Sequence, residues 1–332
     1  MFVLVPDTTP TPRRRHVPAT LAITLVMTVA GAVGVSVAAK RAVDHVPRVA
    51  KVDTVLSPSS DSIDNYLLVG SDSRDQGDPL TGEVASVSGH RSDTIMLLRF
   101  DRSKGTASLL SIPRDLYVTI PGHPKKTRIN AAFNDGPDVL VRTIEQELQL
   151  PVHHYVEIDF TGFEQLVTAL GGVTVCFDVP VRDFNTGLSI EAPGCHLLNG
   201  KQGLAYARSR HYEELRDGKW REDPTSDFGR ARRQRDFVNR CLQAAVEQVK
   251  ANPFRAGELV AAVSSALHLD ANLDPIDAAS SLKDAVASGL VSYALPVTPK
   301  KIDGNDVLVL GPGSDAVLRY FRGQGPPPPA AA

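Results

Sequence analysis

Three short apolar stretches, each bordered by charge at one end, constrain the fold of this chain more than any other feature. Tyr66, Leu67, Leu68 and Val69 run into the turn-forming string Gly70-Ser71-Asp72-Ser73-Arg74. Residues 93–100 carry Ile95, Met96, Leu97 and Leu98 behind Asp93 and Thr94, and residues 106–112 stop at Pro113. Apolar runs this short between turn residues read as buried strands, and the proline ends the third because it cannot donate to a ladder. The second and third, joined by the turn 101–105, form a hairpin. With the three as antiparallel neighbours, the end of the first, the start of the second and the end of the third share one sheet edge. That edge collects Asp72, Arg74, Arg91, Asp93, Arg114 and Asp115. Any one of these is ordinary loop polarity. Three segments delivering carboxylates and guanidiniums to one edge make a candidate site. Hard oxygen ligands hold Mg²⁺, and guanidiniums bind phosphate oxygens bidentately, so the expected ligand is a phosphate or pyrophosphate. Residues 72–83 have the length of an EF-hand loop, with Gly77 sixth and Glu83 twelfth, but Arg74 and Gln76 spoil its third and fifth positions.

The second half adds arginines in patterned places. Asn199 to Ala207 reads as a short capped helix leading into Arg208-Ser209-Arg210, and in an extended chain the two arginines would share a side. Asp227 is a plausible N-cap for a helix running to about Lys250. On it Arg230, Arg233 and Gln234 are related by i, i+3 and i+4, and Phe237, Val238, Cys241, Leu242 and Ala245 continue the stripe. A stripe that turns apolar faces the core, so its first-turn arginines face protein or ligand beside the helix N-terminal amides. The alternative is a structural salt bridge to a nearby carboxylate. Arg232 and Arg235 lie off the stripe, and for them the structural salt bridge is the expected role. Thr161-Gly162-Phe163-Glu164 resembles a capping box whose helix ends at Gly171-Gly172. His153 and His154 precede a strand-like run and read as structural.

Arg13, Arg14 and Arg15 precede residues 17–39, 23 positions without a charge. As a helix at ~1.5 Å per residue the run covers a hydrocarbon layer ~30 Å thick. A cleaved secretory signal is the alternative, given the Ala, Gly and Ser at its end. The arginine triplet slightly outweighs Lys40 and Arg41, which favours a cytoplasmic N-terminus. The expected layout is a cytoplasmic tail (1–16), a single transmembrane helix (17–39), a polar linker (40–61), an extracytoplasmic domain (62–322) and a disordered Pro/Ala tail (323–332). In that compartment Cys176 and Cys195, with 18 residues between them, are candidates for a disulfide, while Cys241 on the core face of its helix is an inert thiol.

The chain has 332 residues, ample for a large core, and 36 Lys+Arg against 38 Asp+Glu leave a net charge of -2. Such a balance offers no bulk attraction to nucleic acid, and no helix-turn-helix signature appears. No Gly-x-Ser-x-Gly elbow, Walker loop, His-Glu-x-x-His or dinucleotide fingerprint occurs, which removes the commoner hydrolase and nucleotide-site readings.

The strings Gly70-Ser71-Asp72-Ser73-Arg74, Arg91-Ser92-Asp93-Thr94, Ser111-Ile112-Pro113-Arg114-Asp115 and Arg128-Ile129-Asn130-Ala131-Ala132-Phe133 occur in the order typical of the LytR-CpsA-Psr (LCP) family. Leu198-Asn199-Gly200, Ala207-Arg208-Ser209-Arg210 and Asp227-Phe228-Gly229-Arg230 continue it, and the chain resembles that family from about residue 63 to 249, more loosely to 322. The resemblance implies an α/β fold: a three-layer α/β/α core with a central mixed, largely antiparallel sheet, a hydrophobic lipid groove and one N-terminal transmembrane helix. It also implies a membrane-anchored enzyme that attaches a glycopolymer of teichoic acid, capsule or arabinogalactan type from a polyprenyl-pyrophosphate carrier to peptidoglycan. By motif position Asp72 and Asp93 are its Mg²⁺ (or Mn²⁺) ligands. Arg91, Arg114, Arg208, Arg210, Arg230 and Gln234 surround the pyrophosphate, and Asp93 or a neighbour is the base. Arg128 stands where family members often carry Lys, and the segments 73–90 and 212–226 are longer than a compact member needs. A polyprenyl pyrophosphatase using water as nucleophile, or a non-catalytic lipid-binding regulator, are the alternatives.

Overall fold

The computed structural model describes residues 44, 46–59, 62–72, 91–252, 255–264 and 267–330. The apolar segment 17–39 and the segment 73–90, with Arg74, lie outside the described residues, as do the side chains of Asp72, Arg91 and Asp93. Among the described residues no helix is long and apolar enough to cross a membrane.

In chain order, the elements that build and position the site are β1 (Ile63–Asp72), β2 (Arg91–Asp101), β3 (Thr106–Ile112), α1 (Pro137–Leu148), β4 (His154–Asp159), α2 (Phe160–Ala169), β5 (Val173–Phe177), β6 (Gly194–Leu198), α3 (Gly200–Arg208), α4 (Ser226–Ala251), β7 (Leu267–Leu269), α5 (Pro275–Ala287), β8 (Val291–Ala294), β9 (Val297–Ile302), β10 (Asn305–Leu310) and α6 (Ser314–Phe321). The central sheet runs β7-β4-β1-β2-β3-β8. Its β1/β2, β2/β3 and β4/β7 pairs are antiparallel and its β1/β4 and β3/β8 pairs parallel. The expected mixed sheet and β2–β3 hairpin are therefore present.

Strand alternation sorts the apolar residues onto two faces. Leu67, Val69, Ile95, Leu97, Leu110 and Ile112 face a core shared with Leu140 and Ile144 of α1 and Val317 and Phe321 of α6. Tyr66, Met96, Leu98, Phe100 and Leu109 face the other side, under Ala285 of α5 and Val238 and Leu242 of α4. Helices on both faces of a sheet give the three layers. A further core joins α2, α3 and α4 to β5 and β6 through Val167, Val175, Leu198, Tyr206 and Phe237. There Cys176 and Cys195 stand opposite each other in the β5–β6 pair and form a disulfide. Cys241 is buried in the same core, and burial pushes its thiol pKa up to about 12.

Three expectations need correction. Residues 46–57, read as linker, are docked: Val46 is buried, Val52 is fully buried against the α1 core, and Arg48 donates to the carbonyls of Asp270 and Leu273 at 2.7 Å each. The polar composition of the stretch conceals a few apolar anchors. Helix α2 opens at Asp159, whose carboxylate accepts from the Gly162 amide at 2.6 Å, rather than at Thr161. An extended Asp at the end of a strand caps before the Thr can. The long helix starts at Ser226, so Asp227 sits in its first turn instead of capping it. Asn199 caps α3 as expected, with the reciprocal Gln202 bond of a capping box. His153 and His154 are structural: His153 accepts from the Asn65 amide, and His154 lies 3.5 Å from Asp270.

Candidate functional site

The sheet edge expected from the sequence exists in the backbone. The end of β1 pairs with the start of β2, Asp72 opposite Arg91 and Ser71 opposite Ser92, and the end of β3 lies alongside, with Ile112 opposite Ile95. Gly70 pairs with Thr94 while Ser71 pairs with Ser92, so Asp93 is the extra residue of a β-bulge. Bulges of this kind break pairing locally and recur beside functional sites. The sequence carries no signal for that irregularity beyond Gly70.

Against this edge the first turns of α4 and the β9–β10 hairpin enclose a cleft of about 420 Å³. Its walls are Thr94, Ser111 to Asp115, Asp227 to Arg232, Gln234 and Arg235, with Lys300 and Asp306 from the hairpin. Asp227 is the hub. Its Oδ2 lies 3.1 Å from Nη2 of Arg230 and 3.3 Å from Nε of Arg114, and its Oδ1 lies 3.6 Å from Nε of Arg210. Guanidiniums from three distant segments thus share one carboxylate, leaving a positive excess beside the α4 N-terminal amides, a setting that attracts anions. Asp115 repeats the device between Arg114 and Arg128, each 3.5 Å away. Arg128 also donates to the Asp306 carbonyl and so ties the hairpin to the edge. Gly229 allows a close approach here: a Cβ at this position would displace the side-chain oxygens of Asp223 and Thr225.

The structure separates the remaining arginines. Arg208 is the last residue of α3 rather than part of an extended strand, and its guanidinium stacks over Phe160, 4.3 Å from the ring centre. Neither Arg208 nor Arg210 lines the cleft wall, although Arg210 reaches it through Asp227. Gln234 lines the cleft and donates to the Ala207 carbonyl at 3.2 Å. Arg233 is structural: it bonds Asp223 at 3.0 Å and the Ser209 carbonyl at 2.7 Å, and lies over Tyr212. Arg232 and Arg235, expected to make structural salt bridges, both line the cleft. The reason is that α4 is covered on two sides. Phe237 and Cys241 enter the disulfide-bearing core while Val238 and Leu242 enter the sheet core, and Arg235 lies in line with the second pair at i+3 and i+7. Asp227 as a hub and Arg235 as a lining residue are what sequence reasoning missed.

A divalent cation can be tested against the residues present. Ser71 and Ser92 flank Asp72 and Asp93 and are buried, yet among the described residues neither hydroxyl has a hydrogen-bond partner. Buried hydroxyl oxygens beside two strand-end aspartates make the hard-oxygen donor set that Mg²⁺ or Mn²⁺ takes, so the residues fit such an ion. Among the described residues no group of three or more His, Cys, Asp or Glu forms a separate metal cluster.

The comparisons agree with this architecture. The chain is 34% identical over 239 residues to the Corynebacterium glutamicum "Probable cell wall biosynthesis protein LcpB", covering 70% of this chain and 54% of that one. It is 39% identical over 158 residues to the Bacillus subtilis "Polyisoprenyl-teichoic acid--peptidoglycan teichoic acid transferase TagT", covering 46% and 47%. The chain thus spans about half the length of the curated relatives it matches. Among solved structures, the "LytR-Csp2A-Psr enzyme from Actinomyces oris" superposes with a TM-score of 0.66 at 26% identity, covering 83% of this chain and 95% of that one. The model of the LytR_cpsA_psr family matches residues 29–317, and the chain belongs to that family.

Proposed function

We propose that this protein transfers a glycopolymer from a polyprenyl-pyrophosphate carrier to peptidoglycan, leaving a phosphodiester link. The observation that supports this reading best is the convergence of Arg114, Arg210 and Arg230 on Asp227 at the sheet edge where Asp72 and Asp93 end and begin their strands. A pyrophosphate seated there meets fixed guanidiniums and helix amides, groups that stabilise the charge developing on phosphoryl oxygens without reorganising. Each such donor is commonly worth ~10²–10³ in rate.

In this reading a sugar hydroxyl of the acceptor attacks the polymer-proximal phosphorus in line. The bond from that phosphorus to the bridging oxygen breaks, and the lipid phosphate leaves with the electron pair. Arg114, Arg210 and Arg230 hold the phosphate oxygens, with Gln234 beside them. Arg91 and Arg208 flank the group, and Asp93 or a neighbouring acid accepts the hydroxyl proton. Mg²⁺ held by Asp72 and Asp93 would supply charge neutralisation of the pyrophosphate. Residues 17–39 anchor the chain in the membrane with the cleft outside. Mixing the full-length protein in detergent with a polyprenyl-pyrophosphate-linked oligosaccharide and peptidoglycan oligomers tests the proposal. Covalent attachment is expected, lost in Asp93→Ala and reduced at least about tenfold in Arg208→Ala. Retained transfer in both variants overturns it, and release of free phosphorylated oligosaccharide alone replaces it with pyrophosphate hydrolysis.

A further inference from the structure

Four arginines are buried among the described residues: Arg99, Arg230, Arg233 and Arg235. The first three each pair with a carboxylate, Asp101, Asp227 and Asp223 respectively. Arg235 is 8% exposed, lines the cleft, and among the described residues has no carboxylate within ion-pair distance and no hydrogen-bond acceptor. A guanidinium cannot shed its proton to escape burial, so an unpaired one is costly unless a ligand completes it. Burial, and after it the charge of the neighbouring Arg232, lower its affinity for its proton. Lys300, across the cleft on the β9–β10 hairpin, is by contrast exposed, and among the described residues it too lacks an anionic partner. Five residues separate Arg235 from Arg230, about 7.5 Å along the helix axis, enough to hold an anionic group beside a pyrophosphate rather than the pyrophosphate itself.

We propose that Arg235, with Arg232 and Lys300, forms a second oxyanion subsite in the cleft, which takes a phosphate or carboxylate carried by the transferred polymer or by its acceptor. The substrate identity rests on the transferase reading above, whereas the existence of the subsite does not.

The test titrates the full-length chain in detergent with inorganic pyrophosphate and inorganic tripolyphosphate, whose third phosphate reaches beyond the Asp227 cluster. One added charge-assisted contact predicts that the wild type binds tripolyphosphate about tenfold more tightly than pyrophosphate. Arg235→Gln should bring the two affinities within about twofold while leaving pyrophosphate binding in place, Arg235→Lys should retain part of the preference, and the exposed Lys300→Gln should reduce it without touching the fold. A wild-type ratio near one, or a ratio unchanged in Arg235→Gln, overturns the subsite. Transfer assays then separate the two sources. Arg235→Gln raises KM with kcat little changed either for a phosphate-bearing polymer donor and not a neutral one, or for an acceptor with free carboxylates and not an amidated one. No KM change for any of the four overturns the substrate assignment. Absence of transfer altogether overturns the transferase reading, while the tripolyphosphate preference still reports on the subsite.

Discussion

Asp227 carries more of the site than any other described side chain, and it does so by sharing. Three guanidiniums brought together without a counter-charge repel one another, and the shared carboxylate holds them at 3.1 to 3.6 Å. Asp227→Asn keeps the volume and removes the charge, so the arginines lose their common anchor. Misplacement of positioned groups by fractions of an ångström is expensive in catalysis, and the expected fall in kcat is about 10- to 100-fold. The Asp227 side chain is 38% exposed and such pairs contribute little to folding, so the thermal midpoint should move by less than about 3 °C. Single-turnover rates beside a melting curve check both halves, and a large loss of stability would show the hub to be structural. At this scale the sequence was informative about residue types and silent about pairing. Arg114, Arg210 and Arg230 were legible as anion-binding candidates because Arg114 follows a strand, Arg210 follows a short capped helix and Arg230 opens a helix, but nothing local says that one aspartate serves all three.

Elements decide which of those residues meet. Helix α4 is packed on two sides, and a single apolar stripe read at helical spacing merges two faces that serve different cores. That merger is why Arg233, in line with Phe237, turned out to be a structural residue held by Asp223, while Arg235, in line with Val238 and Leu242, lines the cleft. Strand runs were read more securely. Apolar residues run unbroken through the middle of β1 to β3, each strand is buried on both faces, and turn residues bracket them, so the hairpin and the shared edge were legible. The bulge at Asp93 was not, since it depends on how β1 and β2 align across the pair. The β5–β6 hairpin makes its own prediction. Cys176 and Cys195 close a loop that pins the edge of the second core, and Cys195→Ser is expected to cost ~3 kcal/mol on the loop-entropy model. Urea denaturation of the oxidised wild type and the variant measures this, and equal midpoints would refute it.

The whole molecule responds to pH through groups that folding has displaced from their ordinary values. Burial holds His153 below the usual histidine range despite the nearby Asp64 charge, and its ring accepts the Asn65 amide hydrogen only while neutral. The unfolded chain therefore takes up that proton first, and stability present above pH ~6.5 is lost as pH falls below it. Burial alone would raise Asp223, but hydrogen bonds from Thr225 and Arg233 outweigh it and hold the carboxyl low, so its contribution is present above pH ~4 and lost further down. Denaturant midpoints measured from about pH 8 to 2 should be flat at first, decline below about 6.5, and steepen below about 4. His153→Gln, which preserves an acceptor for the Asn65 amide, should flatten the first decline, and an unchanged profile would exclude His153 as its source. By itself the sequence determined which segments become strands and helices, which edge gathers charge and which family the motifs resemble, because these follow from local periodicity, turn chemistry and residue type. Only the tertiary structure decided that Asp227 unites three arginines, that the stretch before β1 docks on the domain, and that Arg235 faces the cleft unpaired. Those facts depend on distances between segments as much as 225 residues apart, which no local pattern encodes.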